Sequence, residues 1–381
     1  MSLGITMRIL HIIQMINEGR KDHSCLLLFL VYKVFFVMSK FFSILVPYYN
    51  EGEEVIKNLL DSIAIQQNID FKEIEVVICK DGPDGPELSQ EFLDKYPYDI
   101  QYHREPKANV SVMRNKALDY CNGEYVTWAD VDDMYYTCLA LWFVKRETQT
   151  PMQVPINGVP TTVNGFDALY AVFLEEGRNP QTGETYFIDR KDGFQFVHSK
   201  FFKKDFLIRN NIRFGDDLVI HEDNVLNGKV QACTQNIKWC PTPFYLWKWR
   251  DNSVCRRDPL YIKKTYPDLI KSSNHMLEWY TDKSKFDNAR QAVASIVLDS
   301  YYTFCHPSWK TIETQEYRDK AEKCFADYFK KWEYLWKECP DQIKMQISSG
   351  IRQREVIQGM EMETETLEQY LNRMRKLGEN Q

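Results

Sequence analysis

The sequence contains no closely spaced cysteine pair, although ten cysteines are scattered over its 381 residues. The absence of any Cys-x-x-Cys spacing argues against a zinc site, and the scatter favours reduced, mostly buried thiols in a cytoplasmic protein over a disulfide framework. There is also no Gly-x-x-x-x-Gly-Lys loop, which excludes a P-loop kinase. Basic residues are in deficit, and the net charge of −6 excludes nucleic acid as the main partner because phosphate neutralisation requires a basic surface.

A long apolar run is missing as well. The apolar stretch at residues 25–37 has thirteen residues and contains Lys33, whereas a membrane-spanning helix needs about twenty apolar residues. No small-residue cleavage site follows, which argues against a signal peptide. We therefore predict that the fold starts close to Met38 and that residues 1–37 form an N-terminal extension. This extension has two interpretations. It is either an expression leader or the result of a start codon assigned too far upstream, or it makes a peripheral membrane contact.

A cluster of carboxylates is the most informative feature that the sequence does contain. Asp130, Asp132 and Asp133 follow Tyr125–Ala129, a short apolar segment that is predicted to be a strand. Because side chains alternate along a strand, Asp130 and Asp132 are expected to point the same way. Two like charges held this close repel each other unless a cation lies between them. A hard divalent ion, Mn²⁺ or Mg²⁺, prefers such oxygen ligands and keeps positions open for phosphates. An ordinary acidic turn is the alternative.

Four further motifs, each with polar residues beside an apolar segment, accompany this cluster in a fixed order. They are Pro47-Tyr48-Tyr49-Asn50-Glu51 after the strand Phe42–Val46, Lys80-Asp81-Gly82 after the strand Ile74–Cys79, Met113-Arg114-Asn115 in a helix, and His221-Glu222-Asp223-Asn224. Ligands of open α/β sheets bind beyond the carboxyl ends of the strands. Asn50, Asp81 and Asp130 lie at such ends, so we expect them to converge on one crevice that suits a nucleotide.

This order of motifs resembles the family 2 glycosyltransferases, sugar transferases with the GT-A fold, over residues 41–257. That family shows a Pro-x-Tyr-Asn strand end, an Asp-Asp-Gly-Ser loop, an Ala-Arg-Asn helix, an Asp-x-Asp-Asp strand end and a later Glu-Asp pair. The chain departs from the pattern at Lys80, Pro83, Met113 and His221. The departures leave the metal and base positions intact, but they leave open which nucleobase and which sugar are recognised.

The resemblance implies a metal-dependent reaction with a nucleotide-diphosphate sugar, and a UDP-sugar is the expected donor. Asp132 is the implied direct metal ligand, with Asp130 directed to the metal or the ribose. The residues implied to contact the nucleotide-sugar are Pro47, Tyr49, Asn50, Glu51, Asp81, Arg114, Asp130, Val131 and Asp132. A plain turn aspartate is the alternative for Asp81, and a structural salt bridge is the alternative for Arg114. Asp133 is expected to fix the loop or to N-cap a helix that starts at Met134.

The acceptor hydroxyl needs a general base on the face of the sugar opposite the leaving diphosphate. The family places this base at the second residue of its Glu-Asp pair, so the resemblance implies Asp223 and an inverting reaction. The apolar segment Leu218-Val219-Ile220 precedes this pair, and partial burial is expected to raise the pKa of Asp223. Glu222 is expected to bind an acceptor hydroxyl.

Two groups of basic residues are further candidates. Arg256 and Arg257 follow an aromatic segment and are expected to bind the diphosphate, with a solvated basic pair as the alternative. His198 and His221 are candidate additional metal ligands, although a lone histidine is more often structural.

Strands and helices alternate from residue 38 onwards, which predicts an α/β domain with a mostly parallel sheet flanked by helices. Besides the strands already named, we predict a strand at Ile100–His103 and helices at Glu53–Gln66 and Val110–Cys121. We assign residues 38–258 to this GT-A domain and residues 259–381 to a helical region. Apolar residues recur at intervals of three and four from Ala321 to Trp336 and from Leu367 to Leu377. The helical region is expected to pack on the catalytic domain or on a second copy of the chain, as a homo-oligomer.

The sequence thus predicts a hexosyl- or N-acetylhexosaminyltransferase of polysaccharide biosynthesis. Its acceptor would be a glycan or cell-surface polymer, and it would act in the cytoplasm or at the inner face of the membrane. Two other functions are left open. A haloacid-dehalogenase-like phosphatase also has Asp-Val-Asp after an apolar strand, but Met134 replaces its usual Thr or Val. The other is a non-catalytic nucleotide-sugar-binding module, against which the presence of Asp132 and Asp223 argues.

Overall fold

A computed structural model describes residues 40–156, 158–191, 195–250, 265–306, 309, 311, 314–357 and 365–379. The predicted extension at residues 1–37 and the basic pair Arg256 and Arg257 lie outside the described residues.

The first part of the chain alternates between strands and helices, as its sequence pattern predicts. The elements up to the central acidic cluster are β1 (Phe42–Tyr48), α1 (Glu53–Ala64), β2 (Ile74–Asp81), α2 (Gln90–Leu93), β3 (Asp99–Glu105), α3 (Val110–Tyr120) and β4 (Tyr125–Trp128). The later part adds β5 (Met134–Tyr135), α4 (Ala140–Glu147), β6 (Pro151–Ile156), β7 (Val159–Asn164), β8 (Ala168–Arg178), β9 (Thr185–Arg190), β10 (Lys200–Lys203), α5 (Lys204–Arg209), α6 (Glu222–Cys233) and β11 (Ile237–Trp247). The helices after this strand-containing part, residues 40–250, are α7 (Tyr266–Asp282), α8 (Phe286–Phe304), α9 (Gln315–Glu338), α10 (Asp341–Ile357) and α11 (Leu367–Glu379).

The first half of the sheet is parallel. Strand β1 lies between β2 and β4, and β3 extends the sheet beyond β2, all in the same direction. Strands β1 and β2 are apolar and buried on both faces, because α1 packs on one side and α3 on the other. Since the strands run in parallel, the loops after β1, β2 and β4 meet at one edge of the sheet.

The second half of the sheet is mixed, so that the whole sheet has the order β3-β2-β1-β4-β10-β8-β11-β5, with β9 paired to β8. Strand β10 is antiparallel to β4 and to β8, whereas β11 is parallel to β8. The helix considered from Met134 does not form. Met134 and Tyr135 instead make the short strand β5, which pairs with Leu246 and Tyr245 of β11.

The C-terminal helices pack on the strand-containing part of the same chain. A single buried apolar cluster runs from β1, β2 and α3 through α6 to helices α7–α11. The contact between α6 and α7 is close, because a Cβ built on Gly228 would lie 2.4 Å from Met276 Sδ. This closeness explains a glycine inside a helix, where alanine is normally the better helix former. None of the described helices is both long and apolar enough to cross a bilayer.

Candidate functional site

Polar residues converge at the edge of the sheet where the parallel strands end. Asn50 follows β1, Asp81 ends β2 and Asp130 follows β4. Because β1 pairs with both neighbours, these three positions lie side by side. Of the other predicted donor-site residues, Pro47 lies within β1 opposite Cys79, and Val131 is buried under the acidic loop.

A buried guanidinium joins the two halves of this site. Arg114 on α3 is 4% exposed, and its Nη2 donates to Asp130 Oδ1 at 3.0 Å. Its Nη1 lies 2.5 Å from Glu222 Oε1 and 2.9 Å from Asp223 Oδ1. Burial disfavours the charged guanidinium, but the three carboxylates outweigh this effect and raise the pKa of Arg114 above its ordinary value. Arg114 therefore makes the salt bridges considered for it, and through them connects the loop after β4 to the start of α6.

Asp223 has the environment of a general base. It lies in the first turn of α6, and its Oδ2 accepts a hydrogen bond from Val197 N at 2.9 Å. Burial raises the pKa of Asp223, Arg114 lowers it, and Glu222 and Asp130 raise it further, to about 7. A carboxyl with a pKa near neutrality accepts a proton far better than an ordinary aspartate does. The pKa of Asp223 is thus elevated as expected, and burial is the main cause.

The acidic loop after β4 is held by contacts from the end of β11. Asp132 Oδ2 lies 2.8 Å from Arg250 Nη1, and burial together with Asp130 raises the pKa of Asp132 to about 6. Asp133 is fully buried, which raises its pKa, and its Oδ1 accepts from Lys248 N at 2.9 Å. Asp133 thus fixes the loop and caps no helix. The Tyr245 hydroxyl adds a further support by accepting from Asp130 N at 2.9 Å.

A second group of possible metal ligands lies beside this loop. Asp130, Asp133 and His198 each present a ligand atom, and these atoms lie within 4.8 Å of one another. Burial lowers the pKa of His198 to about 3, so that its imidazole is neutral. Its Nε2 is buried and has no hydrogen-bond partner among the described residues. A neutral, unpartnered ring nitrogen next to two carboxylates fits a divalent cation.

The two metal-ligand sets share Asp130 and differ in the rest. The sequence pattern indicates Asp130 with Asp132, whereas the structure brings Asp130 together with Asp133 and His198. His198 is one of the two histidines considered from the sequence as additional metal ligands, and its ring is stacked on Tyr245 with centroids 5.1 Å apart. His221 lies elsewhere, with its Nε2 3.2 Å from Thr265 Oγ1.

A lysine at a position that departs from the family pattern forms hydrogen bonds with both the loop after β1 and the loop after β2. Lys80 is fully buried, and its Nζ donates to the carbonyl oxygens of Tyr49, at 3.1 Å, and Asp84. Asp81 Oδ1 accepts from Ala108 N at 2.6 Å, and Glu51 Oε2 accepts from Tyr49 N at 3.1 Å. Sequence reasoning missed the role of Lys80 because only the fold shows which carbonyl groups it reaches.

Comparisons with known proteins agree with this geometry. Residues 43–140 match the family described as glycosyl transferase family 2. The minor teichoic acid biosynthesis protein GgaB of Bacillus subtilis is 30% identical over 194 residues, which cover 48% of this chain and 20% of that protein. The poly(ribitol-phosphate) beta-glucosyltransferase of Bacillus spizizenii is 24% identical, over 74% of this chain and 43% of that protein. The chain thus spans less than half the length of these two relatives.

The fold has counterparts among solved structures. S. aureus TarS residues 1–349, solved in complex with UDP-GlcNAc, has a TM-score of 0.54 at 17% identity, over 82% of this chain and 92% of the solved one. A similarity of this extent establishes the GT-A fold. The phosphatase interpretation of Asp-Val-Asp is therefore not supported. The family match over residues 43–140, the two relatives and the shared fold together support a glycosyltransferase of family 2.

Proposed function

We propose that this protein is an inverting glycosyltransferase that moves a sugar from a UDP-sugar to a hydroxyl of a cell-surface polymer. The Arg114 cluster is the observation that carries the proposal, because one buried guanidinium holds both the donor-side Asp130 and the base Asp223. The TarS structures contain UDP and UDP-GlcNAc, which supports a UDP-sugar donor. The names of the two Bacillus relatives, which concern teichoic acid and poly(ribitol phosphate), support a polymer acceptor.

On the donor side, we assign the nucleoside to the loops of Asn50 and Asp81 and the diphosphate to the acidic loop. Asp130 would hold Mn²⁺ or Mg²⁺ together with Asp132 or with Asp133 and His198. When bound, such an ion neutralises the negative charge that develops on the departing diphosphate. Arg250 is paired with Asp132 and 39% exposed, so it offers a second cationic partner for the diphosphate.

On the acceptor side, Asp223 would take the proton of the attacking hydroxyl. The acceptor oxygen then bonds to the anomeric carbon as the bond from that carbon to the diphosphate oxygen breaks, which inverts the configuration. Arg114 orients Asp223 and offsets part of the rise in its pKa that burial causes. Asp223 therefore stays a usable base close to neutral pH. We keep the cytoplasm as the proposed compartment, because each cysteine in the described residues is free.

The proposal is tested by a thermal-shift screen of UDP- and GDP-sugars with and without Mn²⁺, followed by transfer to poly(ribitol phosphate). A ligand that binds only the folded state stabilises it by RT ln(1 + [L]/Kd). We expect one UDP-sugar to raise the melting temperature in a Mn²⁺-dependent manner and to give a product of inverted anomeric configuration by nuclear magnetic resonance. Stabilisation without turnover of any donor would instead indicate a nucleotide-sugar-binding module. A retained configuration would refute the proposed role of Asp223.

A further inference from the structure

One face of the sheet leads from the buried site to solvent. Strands β8 and β11 place Phe173 beside Tyr245 and Glu175 beside Trp247, and paired residues in neighbouring strands point to the same face. Strand β9 continues this face, since Arg190 pairs with Phe173, Ile188 with Glu175 and Tyr186 with Gly177. The residues Phe173, Trp247, Arg190, Ile188 and Tyr186, which we call the aromatic strip, thus lie on one face.

The inner end of the strip touches the catalytic centre. Phe173 is fully buried and packs edge-to-face on His198, with ring centroids 4.5 Å apart. Trp247 is tilted against Phe196, whose backbone is two residues from His198 and one from Val197, the donor to Asp223. The strip is therefore continuous with the residues that hold the base and the candidate metal ligands.

The outer end of the strip is exposed. Every residue of β9 is exposed. Tyr186 and Ile188 are 47% and 38% exposed, although both are large hydrophobic residues. Between the two ends lies the ion pair of Arg190 with Glu175. The Tyr186 ring lies over Gly177, where a Cβ would come 2.3 Å from the ring, so the glycine leaves room for this ring orientation. The outer part of the strip thus combines the exposed Tyr186 ring and Ile188 side chain with the hydrogen-bonding groups of the Arg190–Glu175 pair.

We propose that the aromatic strip binds the acceptor polymer, a hydroxyl-rich chain of sugar or polyol units, and guides its end to Asp223. This inference rests on the proposed function. Rings present apolar faces that suit the C–H faces of such units, and the Arg190–Glu175 pair offers donors and acceptors for their hydroxyl groups. The four residue steps from Phe173 to Gly177 span about 13 Å at the usual rise of a strand, enough for two or three units of a chain. A bound chain would therefore have its reacting end at the buried site and its remainder over β9.

The alternation of side chains supplies a matched control. Phe187 lies between Tyr186 and Ile188 on the opposite face, and it is 54% exposed. We would compare Tyr186→Ser and Ile188→Ser with Phe187→Ser in the full chain. Binding of poly(ribitol phosphate) and of uncharged dextran would be measured by affinity electrophoresis. Stabilisation by UDP with Mn²⁺ would be measured in parallel.

We expect Tyr186→Ser and Ile188→Ser each to weaken binding of at least one polymer by roughly tenfold, and Phe187→Ser by less than twofold. UDP-dependent stabilisation should be the same in the parent and in all three variants. If neither polymer binds the parent, or if Phe187→Ser matches the strip variants, the inference is wrong. It is also wrong if the strip variants change only self-association in sedimentation. Failure of the parent to bind UDP would refute the proposed donor. The polymer measurements do not depend on UDP, so the two failures can be told apart.

Discussion

A substitution at Asp223 can separate the transfer rate from the affinity for UDP. Asp223→Asn keeps the size of the side chain and most of its hydrogen-bonding capacity, while Arg114 keeps its ion pairs with Asp130 and Glu222. Transfer should fall by about two to four orders of magnitude, the usual contribution of a positioned general base. The affinity for UDP should change little. Initial rates of UDP release in the presence of acceptor, together with UDP-dependent thermal shifts, measure both quantities.

Glu222→Gln is the matched control for this variant, because it removes an equal charge from the same guanidinium without removing the base. Its rate should stay within about tenfold of the parent. If both variants lost activity equally, the Arg114 cluster would be a structural unit, and the assignment of Asp223 as base would lose its support.

The elevated pKa of Asp223 predicts a pH profile. As the proposed base, Asp223 acts only when deprotonated, and its pKa is raised to about 7, so the transfer rate should increase as the pH rises from 6 to 8. The same shift means that the folded chain retains a proton that the unfolded chain releases. The contribution of Asp223 to stability therefore decreases as the pH rises from about 4 to 7. The pH dependence of kcat should disappear in Asp223→Asn, and a persisting rise in that variant would assign it to another group.

The proposed metal ligands Asp130 and Asp132 lead to a prediction about Mn²⁺ binding. Asp132→Ala should abolish Mn²⁺-dependent stabilisation by UDP while the protein remains folded, because the variant loses an oxygen ligand at the end of β4. Asp61→Ala removes an exposed carboxylate from α1 and should leave this stabilisation unchanged. Thermal shifts with and without Mn²⁺ measure the effect. If Asp132→Ala behaved as the parent does and His198→Ala did not, the metal would belong to the set of Asp130, Asp133 and His198.

The sequence indicates these residues unevenly, for a physical reason. Asp130 and Asp223 could be proposed from the sequence, because their residue types and their order resemble the family pattern. The role of Asp133 could not be decided, since the choice between a helix cap and a loop anchor depends on Lys248, which is 115 positions away. The same holds for the unpartnered Nε2 of His198, because its burial arises only when β8, β10 and β11 assemble.

At the scale of the elements, the loops after β1 and β2, which form the proposed nucleoside site, are linked by a buried lysine. Lys80 at the end of β2 donates to carbonyl groups of two loops, and Lys80→Met would leave these part-buried acceptors without that donor. We expect the affinity for UDP to fall by about tenfold, with a lower melting temperature. Lys107→Met is the control, since Lys107 is exposed and pairs with Asp84 at the surface, where ion pairs contribute about 0–1 kcal/mol. Equal effects of the two variants on UDP binding would show that Lys80 does not position the loops.

The parallel half of the sheet was predicted to within two residues at each end. Strands β1, β2 and β4 carry apolar runs that end at a proline, a glycine or an acidic cluster, and α1 and α3 show the apolar spacing of helices. The mixed half was not predicted, because the pairing of β8 with β9, β10 and β11 joins segments that are distant in sequence. Strand β5 has only two residues and exists because β11 offers a partner.

At the scale of the whole molecule, the helices from Tyr266 onwards complete the hydrophobic core. Their buried residues belong to the same cluster as Leu45 and Val77 of the sheet, so the catalytic part and the helical region share one interior. Unfolding the helices alone would expose the buried apolar residues that the sheet shares with them, which disfavours separate unfolding of the two regions. The chain is therefore expected to unfold as one unit. A substitution that destabilises the helical region should then also destabilise the proposed donor site.

Leu277 allows this cooperativity to be tested, because it lies on α7 within the shared core and is fully buried. Leu277→Ala leaves a cavity and should lower the free energy of unfolding by about 2–5 kcal/mol. Leu377→Ala makes the same change at a 37%-exposed position of α11 and should cost well under 2 kcal/mol. Urea unfolding, followed by tryptophan fluorescence and by circular dichroism, should give one coincident transition for each variant, and UDP should shift the whole transition. Two separate transitions, of which only the second responded to UDP, would mean that the helical region folds independently of the catalytic part.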